Sequence, residues 1–118
     1  MAAYTAVHRS DAERDGKWAL MRRSLGVAAF GLNLVEIPPG DDIPEHDETD
    51  RDQEEVFVVL DGEPVVVVNG EEVPAPPGTF VRVDVDAKRT VRNTGSEPAS
   101  VLIVSAPRSS GYEPMSWA

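Results

Sequence analysis

The residues with the most capacity for chemistry lie in one acidic stretch of the chain, between Asp41 and Glu55. Aspartate and glutamate dominate this stretch, and His46 stands among them. Imidazole nitrogens and carboxylate oxygens are ligands that Fe(II), Mn(II) or Ni(II) accept, and the same groups transfer protons. A run of charge is more often a solvated loop than the rim of a site, and both interpretations stay open from composition alone.

Other kinds of catalytic chemistry lack the residues that they need. The chain has no cysteine, which excludes disulfides, thiolate zinc sites and cysteine nucleophiles. It has no glycine-rich phosphate loop, and Gly95-Ser96 lacks the glycine spacing of a nucleophile elbow. The second histidine, His8, lies in a polar leading segment and is expected at the surface.

The charge balance restricts the partners that the chain can attract. The 118 residues carry a formal net charge of −10, and the sequence pI is about 4.5. Nucleic acids and anionic membranes are bound through clustered lysine and arginine, so neither is expected as a partner. Charged residues interrupt the N-terminal region and leave no apolar stretch long enough for a signal peptide or a membrane span, so we expect a cytoplasmic protein.

Short apolar runs separated by turn signals predict an all-β protein. Residues 56–60 and Val65–Val68 are β-branched runs typical of buried strands. Asn69-Gly70 predicts a two-residue hairpin, because both central positions of that turn need positive φ. Residues 79–86 alternate apolar and polar side chains with the period of a half-buried strand. The other expected elements are a short leading strand within 4–7, weak helical spacing at 10–17, a strand pair over 18–20 and 27–37 joined by a turn at 24–26, and strands at 71–73, 90–91 and 101–104.

This spacing of strands and turns is typical of a β-sandwich or barrel. The length suits one hydrophobic core, so a single domain is predicted over 1–118, with a leading segment 1–17, a core of about 18–107 and a C-terminal tail 108–118. The tail contains Tyr112, Met115 and Trp117. Because such side chains are costly to leave in water, we expect the tail to pack across the barrel or against a partner subunit.

Two spaced motifs in this strand pattern resemble those of the cupin superfamily. The first family motif is Gly, five residues, His-x-His, three or four residues, Glu, six residues, Gly. Here Gly40, His46, Glu55 and Gly62 occupy the corresponding positions. Glu48 replaces the second histidine, and the gap before Glu55 is about two residues longer than the motif.

The second family motif is Gly, five residues, Pro-x-Gly, two residues, His, three residues, Asn. Counted from Gly78, every spacing is kept up to Asn93. Asp84 and Asp86 stand at the proline and glycine positions, and Arg89 stands at the histidine position.

The resemblance implies an antiparallel double-stranded β-helix, a jelly-roll barrel of the small single-domain cupin type. It also implies that His46, Glu48, Glu55 and Arg89 point into the barrel mouth, where metal-binding cupins carry three histidines and a glutamate. Phe57 shares the inward direction and is expected to line the same pocket. Cupins include oxygenases, isomerases, epimerases, storage proteins and sensing domains, so function has to be argued from the site.

Arg89 changes the chemistry of the position that it occupies. A guanidinium has no lone pair to donate and stays protonated, so it removes a metal ligand and adds a fixed positive charge. Two unit charges about 4 Å apart repel by about 4 kcal/mol at an effective dielectric near 20, and a divalent ion roughly doubles that repulsion. Tight binding of a divalent metal is therefore not the preferred expectation.

Several interpretations of the four mouth residues stay open. In one, Arg89 pairs bidentately with Glu55 on a neighbouring strand and the cluster is a self-neutralised remnant of a metal site. In the functional interpretation that we adopt from sequence, Arg89 and His46 bind a small anionic molecule without a tightly held metal. The alternatives are a metal-dependent oxygenase or isomerase that holds Fe, Mn, Ni or Zn through His46, Glu48 and Glu55, and a non-catalytic interaction module whose mouth is plugged by residues 112–117. Whether the protein is an enzyme stays open.

A homodimer is the expected assembly. Small cupins commonly dimerise by exchanging or abutting edge strands. The apolar strand expected at 28–34 and the Trp117 tail offer side chains that could bury such an edge.

Overall fold

The computed structural model describes residues 3–118, and nine short β-strands dominate that range. The strands are β1 Arg14–Asp15, β2 Trp18–Ala19, β3 Gly31–Ile37, β4 Gln53–Asp61, β5 Val65–Val68, β6 Glu71–Pro74, β7 Phe80–Val83, β8 Arg89–Arg92 and β9 Ala99–Pro107. A 3₁₀ turn at Arg9–Asp11 precedes β1, and the helix α1 at Met21–Leu25 follows β2.

Two antiparallel sheets enclose the hydrophobic core. Sheet A has the order β1-β2-β3-β9-β4-β7, and sheet B has the order β6-β5-β8. Every second side chain of the long strands points between the sheets, so Val35 and Phe57 of sheet A pack in one cluster with Val66 and Val91 of sheet B. The predicted all-β jelly-roll barrel is confirmed.

The hairpin predicted at Asn69-Gly70 joins β5 to β6. Both residues have positive φ, 49° and 81°, and Val68 pairs directly with Glu71 across the turn. The Asn69 side chain also accepts a hydrogen bond from the backbone N–H of Lys88 at 2.9 Å. The turn therefore closes the hairpin and fixes the segment that leads into β8.

The region before β3 differs from the prediction. Residues 4–7 form no strand, and the weak helical spacing at 10–17 gives only the turn at Arg9–Asp11. The turn expected at 24–26 is the end of α1, because Gly26 adopts φ 76° and its N–H donates to the Arg22 and Arg23 carbonyls. A left-handed glycine that satisfies the last carbonyls in this way is a helix C-terminal cap.

The N-terminal segment covers part of the outer face of sheet A. Ala12, Ala19 and Leu34 form a second buried cluster, and Val7 and Met21 pack against it. β3 begins at Gly31 and lies between β2 and β9 in this sheet, so it is not itself an edge strand. A contribution of residues 28–34 to burying an edge in a dimer stays a prediction.

The C-terminal tail does not pack across the barrel of its own chain. Tyr112, Met115 and Trp117 are all largely exposed. The alternative in which residues 112–117 plug the barrel mouth is therefore wrong for this conformation. Packing of the tail on a partner subunit stays a prediction.

Helical structure is scarce in residues 3–118. α1 has five residues, and no helix in this range has the length and hydrophobicity required to cross a bilayer. The cytoplasmic location expected from the sequence stays a prediction.

Candidate functional site

The acidic stretch between β3 and β4 runs along the outer edge of β8. The His46 N–H donates to the Arg89 carbonyl at 3.1 Å, and the Arg89 N–H donates to the His46 carbonyl at 2.8 Å. Asp42 pairs with Arg92 in the same antiparallel manner. These backbone bonds hold the acidic loop against sheet B and bring His46 and Arg89 together.

Four of the predicted side chains meet where this loop joins the barrel. His46 Nε2 lies 3.1 Å from Glu48 Oε1 and 3.9 Å from Glu55 Oε1. The same Glu55 oxygen accepts a hydrogen bond from Arg89 Nη1 at 2.8 Å. The exposed fractions of the side chains fall from 40% for His46 through 15% for Glu48 and 7% for Glu55 to 0% for Arg89. The cluster therefore runs from the mouth inward, with the imidazole outermost and the guanidinium innermost.

Phe57 lies deeper than the charged residues. It is fully buried and belongs to the hydrophobic core with Val59 and Val101. Its inward direction agrees with the expectation, and core packing accounts for its burial. A role for Phe57 in lining a pocket stays a prediction.

The Arg89 guanidinium is bound by the protein on three sides. Besides the bond to Glu55, Nε donates to the Ala87 carbonyl at 3.0 Å and Nη2 donates to the Asp84 carbonyl. Three of the five N–H donors of an arginine are thus engaged. One carboxylate and two carbonyls compensate the cost of burying this charge.

This arrangement corrects the predicted ion pair. Arg89 contacts Glu55 through one hydrogen bond rather than two, because carbonyls of the turn before β8 occupy the other edges of the guanidinium. The two residues also lie on opposite sheets, since β4 belongs to sheet A and β8 to sheet B. The expected bidentate pairing between neighbouring strands is therefore wrong, and the pair instead connects the two sheets.

Both ring nitrogens of His46 face hydrogen-bond acceptors. Nδ1 lies 3.0 Å from the Pro44 carbonyl oxygen, and Nε2 lies 3.1 Å from Glu48 Oε1. A carbonyl cannot donate, so the first contact is a hydrogen bond only when Nδ1 carries a proton, and only an imidazole with both nitrogens protonated donates to both acceptors. The imidazole and the Glu48 carboxylate thus lie within hydrogen-bond reach of each other, and both groups are of types that transfer protons.

Opposing influences act on the pKa of Glu55, and burial is the largest of them. Burial raises the pKa of Glu55 above its ordinary value, the hydrogen bond from Arg89 opposes this rise, and the negative charge of Glu48 adds to it. Carboxyl groups with raised pKa values are frequent at functional sites, although structural ion pairs show them too.

The donor set can be compared with the requirements of a divalent metal. Ligand atoms of His46, Glu48 and Glu55 lie within 4.8 Å of one another. Each ligand atom would lie about 2.1 Å from a bound ion, which places neighbouring ligand atoms about 3 Å apart. The three ligand atoms are therefore only slightly farther apart than a bound ion requires. The fourth side is occupied by Arg89, a cation bonded to the Glu55 oxygen that would ligate. The three groups could therefore hold a divalent ion, and the adjacent guanidinium would lower its affinity.

Asn93, which the second motif singled out, has a structural role. It is fully buried, and its Nδ2 donates to the Ile37 and Glu97 carbonyls, both at 2.8 Å. Its Oδ1 accepts the Gly95 N–H at 3.0 Å. The side chain ties the end of β3 to the turn before β9.

Sequence reasoning missed the backbone groups that complete the site. The carbonyl of Pro44 lies against the His46 ring, and the carbonyls of Asp84 and Ala87 orient Arg89. Any residue type carries a carbonyl, so no sequence signal could have identified these three. The aspartates at the proline and glycine positions of the second motif did mark the turn in which two of them lie.

Solved structures of known proteins share this architecture. A cupin protein from Bacteroides fragilis is 19% identical, with 99% of this chain and 94% of that chain covered and a TM-score of 0.80. A predicted oxalate decarboxylase from Thermotoga maritima is 26% identical over 65% of each chain, with a TM-score of 0.61. A sugar phosphate isomerase of the cupin superfamily from Silicibacter pomeroyi is 26% identical, with 75% of this chain and 57% of that chain covered and a TM-score of 0.67.

The family comparison agrees with these structural similarities and with the resemblance of the motifs. No curated protein matches the sequence. The family model described as "Cupin domain" matches residues 33–105, which is more than half of the chain and includes all four mouth residues. With its strand order and its mouth cluster also in place, this chain belongs to the cupin domain family.

Proposed function

We propose that this cupin binds a small polar molecule at the mouth of the barrel through His46 and Glu48, without a resident divalent metal. The observation that carries the proposal is the fully buried Arg89, whose guanidinium donates to the Glu55 carboxylate at 2.8 Å. Arg89 stands where the resemblance places a metal-ligating histidine. Its fixed charge takes the place of the cation that a metal would supply to Glu55.

Electrostatics support the absence of a resident metal. A divalent ion on Glu55 Oε1 would lie within about 5 Å of the Arg89 guanidinium, and the two would repel by about 7 kcal/mol at an effective dielectric near 20. The two carboxylates attract such an ion, but this repulsion lowers its affinity relative to a site with a neutral residue at position 89. The remaining donors number three, which leaves the ion to complete its shell with water.

The exposed groups suggest the class of ligand. Arg89 has no exposed surface and three engaged donors, so it does not present a fork to an anion as the sequence had suggested. The accessible groups are the His46–Glu48 pair on an acidic loop, which repels anions. An uncharged ligand rich in hydroxyl groups can accept a hydrogen bond from the imidazole and donate one to the carboxylate. We therefore propose a neutral, polyhydroxylated ligand. The related cupin from Silicibacter pomeroyi is named as an isomerase of a sugar phosphate, which shares the hydroxyl groups of such a ligand but also carries an anionic group.

Thermal stabilisation by defined probes tests the ligand class. Glucose, a glucose phosphate and oxalate are added separately at constant ionic strength, and the change in Tm is measured for each. We expect stabilisation by glucose that is lost in His46→Ala and Glu48→Gln. The matched control is Glu45→Gln, an exposed carboxylate on the same loop, which should keep the response. A probe at 100 times its Kd adds about 2.7 kcal/mol to the free energy of unfolding, which such a measurement resolves.

An anion-specific response would contradict this proposal. Stabilisation by oxalate or the glucose phosphate, but not by glucose, would restore the anionic ligand that the sequence favoured. If none of the three probes raises the Tm, the proposal that the mouth binds a neutral or an anionic ligand of this kind fails.

Metal binding is tested with a substitution that restores the family's ligand. We expect wild-type protein to contain metal below one equivalent after exposure to Fe(II), Mn(II), Ni(II) and Zn(II). Arg89→His removes the repulsion and adds an imidazole, so it should bind Mn(II) or Ni(II) at least about a hundredfold more tightly, a change of about 2.8 kcal/mol. Arg92→His, the same change at an exposed position of β8, is the control and should resemble wild type.

One result would replace this account with the enzyme alternative. A full equivalent of metal in wild-type protein that is lost in His46→Ala would favour a metal-dependent oxygenase or isomerase built on His46, Glu48 and Glu55.

A further inference from the structure

An apolar patch lies on the outer face of sheet A, away from the barrel mouth. Val58 of β4 pairs directly with Phe80 of β7, so the two side chains project from the same face. Val56 and Leu60 share that face by alternation along β4. We call these four residues the bare face, since Phe80 is 71% exposed and Leu60 is exposed as well.

The chain covers the neighbouring part of the same surface but stops short of the bare face. Leu34 and Leu102 lie on the same face of β3 and β9, where Val7 and Met21 pack around them. A patch of large apolar side chains left in water beside a covered one is typical of an interaction surface.

The C-terminal tail carries apolar side chains that the chain does not bury. Tyr112 lines a shallow cavity with Val56 and Val104, so the tail starts beside the bare face. Met115 and Trp117 follow Tyr112 in the chain, and Trp117 is 81% exposed. Residues 113–118 span up to about 20 Å when extended, which is enough to reach a neighbouring molecule.

We propose that two copies of this chain associate by exchanging C-terminal tails, with Met115 and Trp117 of each copy packed on the bare face of the other. Each copy has one apolar segment to offer and one apolar surface to cover. In a two-fold arrangement, the tail of each copy is buried and the bare face of each copy is covered. A partner that only covers the bare face would leave the tail exposed. The exchange uses the outer face of β4, opposite to the face that carries Glu55, so it stands independently of the ligand proposed above.

The available apolar area agrees with a stable dimer. An aromatic side chain buries about 150–250 Å², and Phe80, Tyr112 and Trp117 are 71%, 77% and 81% exposed, so they can contribute about 700–1,150 Å² over two copies. Specific interfaces bury about 1,200–2,000 Å² in total. With Leu60 and Met115 added, the exchange reaches that size without any edge-strand pairing.

The test measures mass against concentration by analytical ultracentrifugation of the full chain and three variants. The variants are Phe80→Ser, a truncation that removes residues 113–118, and the control Tyr4→Ser, which alters an equally exposed aromatic ring at the other end of the chain. We expect wild type and Tyr4→Ser to be dimers. Both other variants should show a dimer Kd raised at least about tenfold, while their circular dichroism stays that of wild type.

A mixing experiment separates exchange from other modes of dimerisation. The truncated copy keeps an intact bare face, and Phe80→Ser keeps an intact tail. An equimolar mixture should therefore form a heterodimer through one tail, at a concentration where each variant alone is monomeric. Because Trp117 becomes buried in that contact, the tryptophan emission, to which Trp18 also contributes, should shift to the blue as the heterodimer forms.

The opposite results overturn the proposal. A wild type that is monomeric at every concentration, a truncated chain that stays dimeric, or a mixture that stays monomeric would each do so. A blue-shifted Trp117 emission that is independent of concentration, with a monomeric mass, would show instead that the tail folds onto its own sheet.

Discussion

Replacing Arg89 by methionine, which keeps much of the side-chain volume, tests whether the buried cation holds the mouth cluster together. The substitution removes the hydrogen bonds to Glu55 and to the Ala87 and Asp84 carbonyls. It leaves the buried Glu55 facing Glu48 without a counter-charge. Removing one partner of a buried ion pair costs about 3–5 kcal/mol, because the other charge stays desolvated.

For a domain of this length, a loss of that size is easily measured. Each kcal/mol shifts Tm by about 3–6 °C, so Arg89→Met should lower Tm by about 9–30 °C. Urea unfolding followed by circular dichroism should give a lower midpoint with an unchanged m value. Arg92→Met on the same strand is the control, since Arg92 is exposed and lies 3.6 Å from Glu72 at the surface. It should cost less than about 1 kcal/mol.

A double-mutant cycle shows whether the charge on Glu55 causes the loss. Glu55→Gln combined with Arg89→Met removes both charges, so it should recover at least about 1.5 kcal/mol relative to the sum of the single losses. A loss below about 1 kcal/mol for Arg89→Met would refute the reasoning. Single losses that simply add in the double variant would refute it equally.

Two further predictions concern pH and backbone packing. Because the pKa of Glu55 is raised in the folded protein, its contribution to stability is present below its ordinary pKa of 4.5 and is lost as pH rises through the folded value. The difference in unfolding free energy between wild type and Glu55→Gln should therefore fall as pH rises above 4.5, and an increase would mean that Arg89 dominates instead. Gly62→Ala should cost about 1–3 kcal/mol more than Gly70→Ala in urea unfolding, because a Cβ at position 62 would lie 2.7 Å from the Pro98 oxygen whereas nothing lies within 4 Å at position 70. Both glycines have φ near +81°, so the backbone strain of an alanine is the same at both positions. Equal losses of unfolding free energy would show that the backbone at Pro98 moves to accommodate the added methyl group.

The strands could be predicted because their signals are local. Val65–Val68 followed by Asn69-Gly70 determines both a strand and the turn that ends it, without reference to the rest of the chain. The helix Met21–Leu25 was missed although Gly26 marked its end, because five residues are too few to show a helical period. Its position depends on Met21 packing against the outer face of sheet A, which is a tertiary contact.

The candidate site was predictable in composition but not in geometry. Motif spacing identified His46, Glu48, Glu55 and Arg89, and the structure brings all four together. Spacing could not give the strand order, so Glu55 and Arg89 were expected side by side rather than across the barrel. It also could not give the direction of backbone carbonyls, which is why Arg89 was expected to be free to bind an anion.

The reciprocal backbone bonds between His46 and Arg89 bear on how a ligand reaches the cluster. Since each residue donates its amide to the other, the loop cannot swing away from β8 at this point without breaking both bonds. The amide protons of the two residues should therefore exchange with solvent together, in one opening event. For the ligand proposed above, a loop held in place in this way would lower the entropic cost of ordering the entrance on binding.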